Sequence, residues 1–378
     1  MKRTAVPLRD HWQERCEEAG FAFHSMDGLY WREGFCYQFT ADQVDAVEDA
    51  STELHALCLE AVERVVAENL FGRLGIPDAC GELIRRSWHR RDRSLYGRFD
   101  LVWNGDGPPK LLEYNADTPT ALFESSIVQW LWLEDLFPHQ DQFNSIHEKL
   151  GEGFAAIQAE LPPEALFHFT CVRDHQEDLT TVEYLRDVAC QAGIDGRHLF
   201  VEEIGHDAAT GRFVDLAGNP IERLFKLYPW EWLLAEDFGR HLLAEPFKTV
   251  IEPAWKIVLG SKGILGLLWE MFPNHPNLLP AQFTPPASGR FVRKPFFSRE
   301  GANIAILDGG RVVAETEGGY GAEGYIYQQY QELPCFDGQY ALIGSWIVDG
   351  RPAGMGIRED SSPVTKNSST FVPHLFIP

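Results

Sequence analysis

The chain has 378 residues, of which 44% are hydrophobic, with 11 Trp and 25 Phe. That is ample core for two or three domains or interlocked lobes, and it excludes a disordered chain. A formal net charge of −23 counts against nucleic acid as a partner, because phosphate neutralisation needs clustered Lys and Arg. The 7 cysteines are scattered without a C-x-x-C pair, so neither a disulfide framework nor a zinc site is indicated. No apolar run reaches the length of a membrane span, and a reduced cytoplasmic location is expected.

In chain order, Thr40 to Leu70 predicts a long helix. Thr40 or Asp42 caps it, and Val44, Val47, Leu54, Leu57, Cys58, Val62 and Val65 trace its apolar stripe. From Tyr96 to Thr118 the period changes to strand, turn, strand, with Asn104-Gly105-Asp106-Gly107 as turn chemistry. Helices are expected at Leu122 to Leu136 and Gly151 to Leu161. A strand (Leu166 to Arg173), a helix (Leu179 to Ala192) and a strand (His198 to Ile204) follow, the order of a small α/β unit with parallel pairing. Trp255 to Met271 reads as a helix, then a Pro-rich loop leads into a strand-rich remainder with turns at Asp308-Gly309-Gly310 and Asp349-Gly350.

Two segments carry chemistry. In YGRFDLVWNGDGPPKLLEYNADTPT, alternation puts Arg98 and Asp100 on one face of a strand and Glu113 and Asn115 on one face of its return. Closure about Asp106-Gly107 sets Asp100 across from Glu113 and Arg98 across from Asn115. Two directly opposed carboxylates destabilise a strand pair. A divalent cation reverses that sign, and the all-oxygen set Asp100, Glu113 and Asn115 suits Mg²⁺. A solvated polar face on an ordinary hairpin is the alternative.

The second segment, FVRKPFFSREGANIAILDGG, sets Lys294 at a strand end before the loop Arg299-Glu300-Gly301. Such a loop can lay backbone N–H groups on phosphate oxygens, although it is neither a Walker A loop nor G-x-G-x-x-G. Lys262 in GSKGILG and Arg358 in GMGIRED are further candidate cations. The strand GYIYQQYQEL can offer its backbone to an adenine edge.

These segments, together with EDLTTVEYL, SKGILGLLWEMFPNHPNLLP and GSWIVDGRPAGMGIRED, resemble the synthetase domain of glutathionylspermidine synthase and its stand-alone acid–amine ligase relatives. The resemblance spans nearly the whole chain. It implies an α+β fold of the circularly permuted ATP-grasp type. Residues 1–120 and 255–378 then form a discontinuous catalytic core, and 121–254 a preATP-grasp-like α/β substrate domain.

It also implies ATP and Mg²⁺, with a small-molecule acid and amine as partners. By the same resemblance Asp100, Glu113 and Asn115 match metal ligands, and Arg98 matches the arginine that stabilises the transition state. Lys262, Lys294, Arg299, Glu300, Gly301, Gln329, Tyr330 and Arg358 match ATP-binding positions. Thr118, Thr120, Glu177 and Asp178 match positions near the substrate. LFKLYPWEW matches only loosely, with Leu227 where a hydrogen-bonding residue is expected, and no room is left for the amidase of the bifunctional enzymes. Within this resemblance stand a glutathione–spermidine ligase, a ligase for another acid and amine, and a nucleotide binder without catalysis.

Overall fold

A computed structural model describes residues 1–25, 28–162, 165–244, 247–299, 301–363 and 369–377. The fold is mixed α+β and is built around several antiparallel sheets. One sheet has the order 370–372, 351–360, 339–348, 96–102, 110–115, all antiparallel, with 335–336 paired to 339–348 at its side. A five-stranded antiparallel sheet runs in the order 281–282, 325–329, 290–295, 305–308, 311–315.

A third sheet has four parallel strands, ordered 249–251, 223–226, 166–171, 195–200. The helix Gln176–Gln191 is the crossover between two of them. The parallel pairing is the arrangement that the alternating strand–helix–strand pattern predicts.

The long helix runs Ala41–Glu68. Thr40 accepts from the Gln43 N–H while the Gln43 side chain accepts from the Thr40 N–H, a complete capping box. Asn69 ends the helix in the left-handed region, φ 56°, which Asn tolerates better than most residues. Every member of the expected apolar stripe is buried. It packs with Phe99, Leu101, Ile343 and Ile357 of the first sheet into one core. A second core joins the parallel sheet to the helix Ile146–Glu160 through Tyr96, Phe169, Phe225 and Trp346.

Four expectations shift, each for a local reason. The helix expected from Gly151 starts at Ile146, because Gly153 is an interior packing position: a Cβ there would lie 3.0 Å from Leu95 Cδ1. The strand expected at His198 to Ile204 is Asp195–Phe200, since Glu203 accepts from the Phe200 N–H and draws the chain into a turn. The hairpin turn is a longer loop, with the Trp103 indole donating to the carbonyls of Asp106 and Gly107.

The fourth shift concerns Trp255 to Met271, which is two short helices, Lys256–Gly260 and Ile264–Met271. At the break Ser261 is extended, its hydroxyl donates to Leu74 O at 2.7 Å, and the Lys262 N–H donates to Phe296 O at 2.7 Å. Apolar periodicity reads straight through this interruption, yet the interruption is what positions Lys262.

Candidate active site

Asp100 pairs with Glu113 and Arg98 with Asn115, the register that strand alternation requires. Immediately beyond Asp100 the register shifts, and Leu112 is the extra residue of a bulge on the edge strand. A bulge frees backbone groups, and here the five-stranded sheet satisfies them. Lys294 Nζ donates to Leu112 O at 2.9 Å, and Gln328 Nε2 donates to Leu111 O at 2.9 Å. Gln328 Oε1 in turn accepts from Lys294 at 2.8 Å. The two sheets are thereby clasped around a cavity of about 390 Å³.

Arg98, Asp100, Glu113, Asn115, Thr118, Thr120, Glu177, Asp178, Lys262, Lys294, Arg299, Gly301, Gln329, Tyr330 and Arg358 all line that cavity. Glu300 lies outside the described residues. The Arg98 guanidinium is pinned on three sides: Nε to Asp100 Oδ1 at 2.8 Å, Nη2 to Asp100 Oδ2 at 3.4 Å, and Nη1 to Thr120 O at 2.6 Å. Arg358 Nη2 reaches the same carboxylate at 3.0 Å. Lys262 Nζ lies 3.2 Å from Glu113 Oε2 and donates to Ser298 O.

Arg98 and Arg358 contact Asp100, and Lys262 contacts Glu113, so cationic side chains offset the repulsion of the opposed carboxylates in addition to any metal. Among the described residues no three His, Cys, Asp or Glu side chains cluster as a metal site. Two carboxylates and the Asn115 amide still present hard oxygen ligands to one cavity, a donor set that fits Mg²⁺.

Burial raises the proton affinity of Glu113, but Lys262 and Lys294 outweigh it and hold the carboxyl below its usual range. Burial also depresses Lys294, to about 8; Glu113 opposes the shift and Lys262 adds to it. Around these two carboxylates stand Arg98, Arg358, Lys262 and Lys294, an excess of positive charge suited to phosphate groups.

Opposite lies an acidic and aromatic wall. Arg299 Nη1 donates to Thr118 Oγ1 at 2.6 Å and Nη2 to Glu231 Oε1 at 2.7 Å, bringing the loop after Lys294 against the segment that follows the Arg223–Lys226 strand. Glu177 is buried, and burial followed by Asp178 raises its proton affinity. Tyr228 and Trp232 complete this wall.

Several positioning residues escape a sequence reading because their partners are remote in the chain. Lys226 Nζ meets Asp117 Oδ1 at 2.5 Å, and the other Asp117 oxygen accepts from the Trp230 N–H. Lys256 Nζ donates to Tyr96 O and Ala116 O and so staples the two hairpin strands. Gly344 lies across from Asp100; a Cβ there would meet Arg98 Cδ at 2.8 Å. Only Gly344 carries a signal in the sequence, a glycine inside an otherwise bulky strand.

With this geometry in place, a family profile decides the relationship: the glutathionylspermidine synthase preATP-grasp profile matches residues 3–377. The chain belongs to that family. A Haemophilus influenzae protein carrying the provisional name acid–amine ligase is 42% identical over 396 aligned positions, covering 100% of both chains. Trypanothione synthetase of Crithidia fasciculata is 29% identical over 85% of this chain and 53% of its own length. The bifunctional glutathionylspermidine synthetase/amidase of Escherichia coli is 28% identical over 90% of this chain and 59% of its own length.

The chain thus spans little more than half of those two longer relatives. A glutathione synthetase-like effector of Globodera pallida, solved in its apo form, shares the fold with TM-score 0.56 at 10% identity, over 99% of this chain and 100% of that one. Ligase is the activity class that the named family relatives share, and the chain is assigned to it. No described helix is long and apolar enough to cross a membrane.

Proposed function

We propose that the chain is an ATP- and Mg²⁺-dependent acid–amine ligase that forms an amide through an acyl phosphate. The observation that carries this reading is the convergence on one cavity of Arg98 and Arg358 from one antiparallel sheet, Lys294 from the other and Lys262 from the helix break, around Asp100 and Glu113. On this reading residues 1–120 and 255–378 form a circularly permuted ATP-grasp core, and residues 121–254 the substrate domain.

Lys262 and Lys294 draw in the nucleotide phosphates, while Gln329 and Tyr330 border the adenine. Asp100, Glu113 and Asn115 would hold Mg²⁺, which would offset the charge on the phosphates. An oxygen of the substrate carboxylate attacks the γ-phosphorus and ADP leaves, giving an acyl phosphate. Arg98, held rigid by Asp100 and the Thr120 carbonyl, stabilises the charge that develops. The neutral amine then attacks the acyl carbon, inorganic phosphate departs, and the amine proton passes to a nearby base. Glu177, with its raised proton affinity, is placed for that proton.

Arg299, bonded to Thr118 and Glu231, holds its loop over the cavity and excludes the water that would hydrolyse the intermediate. Glu177, Asp178 and Glu231 beside Tyr228 and Trp232 suit a cationic amine. Given the names of the longer relatives, glutathione and spermidine are the first pair to try. The test is a screen of acids and amines for ADP and phosphate release, with mass spectrometry of the product. Arg98→Ala should lower turnover on the order of 10²–10³-fold. ADP release at the wild-type rate in that variant would remove Arg98 from the mechanism, and MgATP binding without turnover on any pair would favour a nucleotide binder.

A further inference from the structure

The parallel sheet has two poles, and the candidate active site uses one of them. Segments leaving the carboxyl ends of its strands, Val172–Asp178 and Leu227–Trp232, line the cavity described above. A second cavity, of about 600 Å³, opens at the amino ends, beside Arg223 and Thr249, and shares no lining residue with the first.

Its charge is opposite to that of the molecule. In a chain of net charge −23, this cavity is lined by Arg90, Arg91, Arg93, Arg223 and Lys248, against Asp92, Glu160 and Asp349. The three acids are already engaged: Asp92 by Arg90 at 2.9 Å, Glu160 by Arg93 at 3.3 Å and Asp349 by Arg93 at 2.8 Å. Arg91 has no side-chain partner among the described residues, and it is exposed at the mouth with its backbone in the left-handed region, φ 58°. His55, 9% exposed, also lines this cavity.

We propose that this cavity binds a small, multiply charged phosphate-bearing anion. Guanidinium forks favour planar or tetrahedral oxyanions. Glu222 engages Lys248 at 2.8 Å and Arg223 at 3.4 Å, so the net attraction comes chiefly from Arg91, with Lys248 as a second contact. The cavity is also tied to the strand that carries Arg98. Arg93 ties its floor to the Asp349-Gly350 turn, and the Asp349 N–H donates to Leu95 O, next to the first residue of the strand that carries Arg98.

The test is calorimetric titration of the full chain with inorganic phosphate, pyrophosphate and ADP in separate arms, each repeated on the R91N/K248Q double variant. Asn accepts the left-handed conformation at position 91, and both side chains are exposed, so the fold is retained and a matching melting curve verifies it. The expected result is a binding event, separate from any at the first cavity, that weakens about tenfold or more in the double variant while binding at the first cavity is unchanged. Its salt dependence should also be steeper in the wild type. If the event lost in the double variant prefers phosphate or pyrophosphate, the ligand is free oxyanion; if it prefers ADP, the ligand is a nucleotide's phosphates. Equal binding by wild type and double variant in all three arms, or no binding at millimolar ligand, overturns the proposal.

Discussion

Gly344→Ala tests whether the sheet is built around Arg98. The added Cβ would stand 2.8 Å from Arg98 Cδ and 3.3 Å from Nε, where ordinary contacts begin at 3.4 Å. Arg98 must therefore withdraw by about 0.6 Å, and its guanidinium cannot do so without lengthening bonds to Asp100 and Thr120. Overpacking of this kind costs about 1–3 kcal/mol. Displacement of a charge-stabilising group by a fraction of an ångström lowers turnover about 10- to 100-fold.

The decisive assay is urea unfolding of Gly344→Ala, Arg98→Ala and the double variant. With Arg98 cut back to Ala the space opens. Gly344→Ala should then be neutral, or stabilising by up to about 0.5–1 kcal/mol, because Ala disfavours the unfolded chain relative to Gly. If Gly344→Ala costs the same with and without the arginine, the steric reasoning is wrong.

The remaining predictions concern protons and one helix end. Lys294 titrates near 8, and a phosphate ligand prefers its charged form, so MgATP should bind progressively more weakly as pH rises from 7.5 to 9. The limit is about tenfold per pH unit. Lys294→Met should bind weakly and independently of pH, whereas a flat wild-type profile would contradict the assignment. His374, fully buried with Nδ1 against Gln129 Oε1, is depressed by burial to about 3. Its neutral form contributes stability that is intact above the unfolded value of 6.5 and lost as pH falls toward 3. Its ring resonances should therefore stay unshifted from pH 7 to 4.5, and a midpoint near 6.5 would refute its burial. Thr40→Ala removes the capping-box acceptor and should cost about 1 kcal/mol in thermal unfolding, with unchanged nucleotide affinity.

The hairpin was legible because side-chain direction along a strand has a period of two, and two residues at that spacing on each strand fix one register. The bulge at Leu112 left no mark, since nothing in Lys-Leu-Leu-Glu announces an unpaired residue. Both positive-φ turns were readable from their glycines: Gly309 and Gly310 at 54° and 80°, and Asp349 and Gly350 at 46° and 74°. Lys262 is the contrary case. Its helix break is made by Leu74 and Phe296, partners distant in sequence, so local periodicity predicts an unbroken helix. The same distance hid the neutralisation of Asp100 by Arg358, which is 258 positions away. Opposed charges in a sequence invite a metal, and a fold can answer them with its own arginines.

The bond from Lys294 to the carbonyl of Leu112 makes one ammonium group a rivet between two sheets. An ammonium carries three N–H donors, and Leu112 O and Gln328 Oε1 take two of them. The third is left for an oxygen in the cavity, so the atom that joins the sheets can also face a ligand. A substitution at Lys294 therefore removes a structural tie together with a charge, and its effect on binding has to be read beside a melting curve.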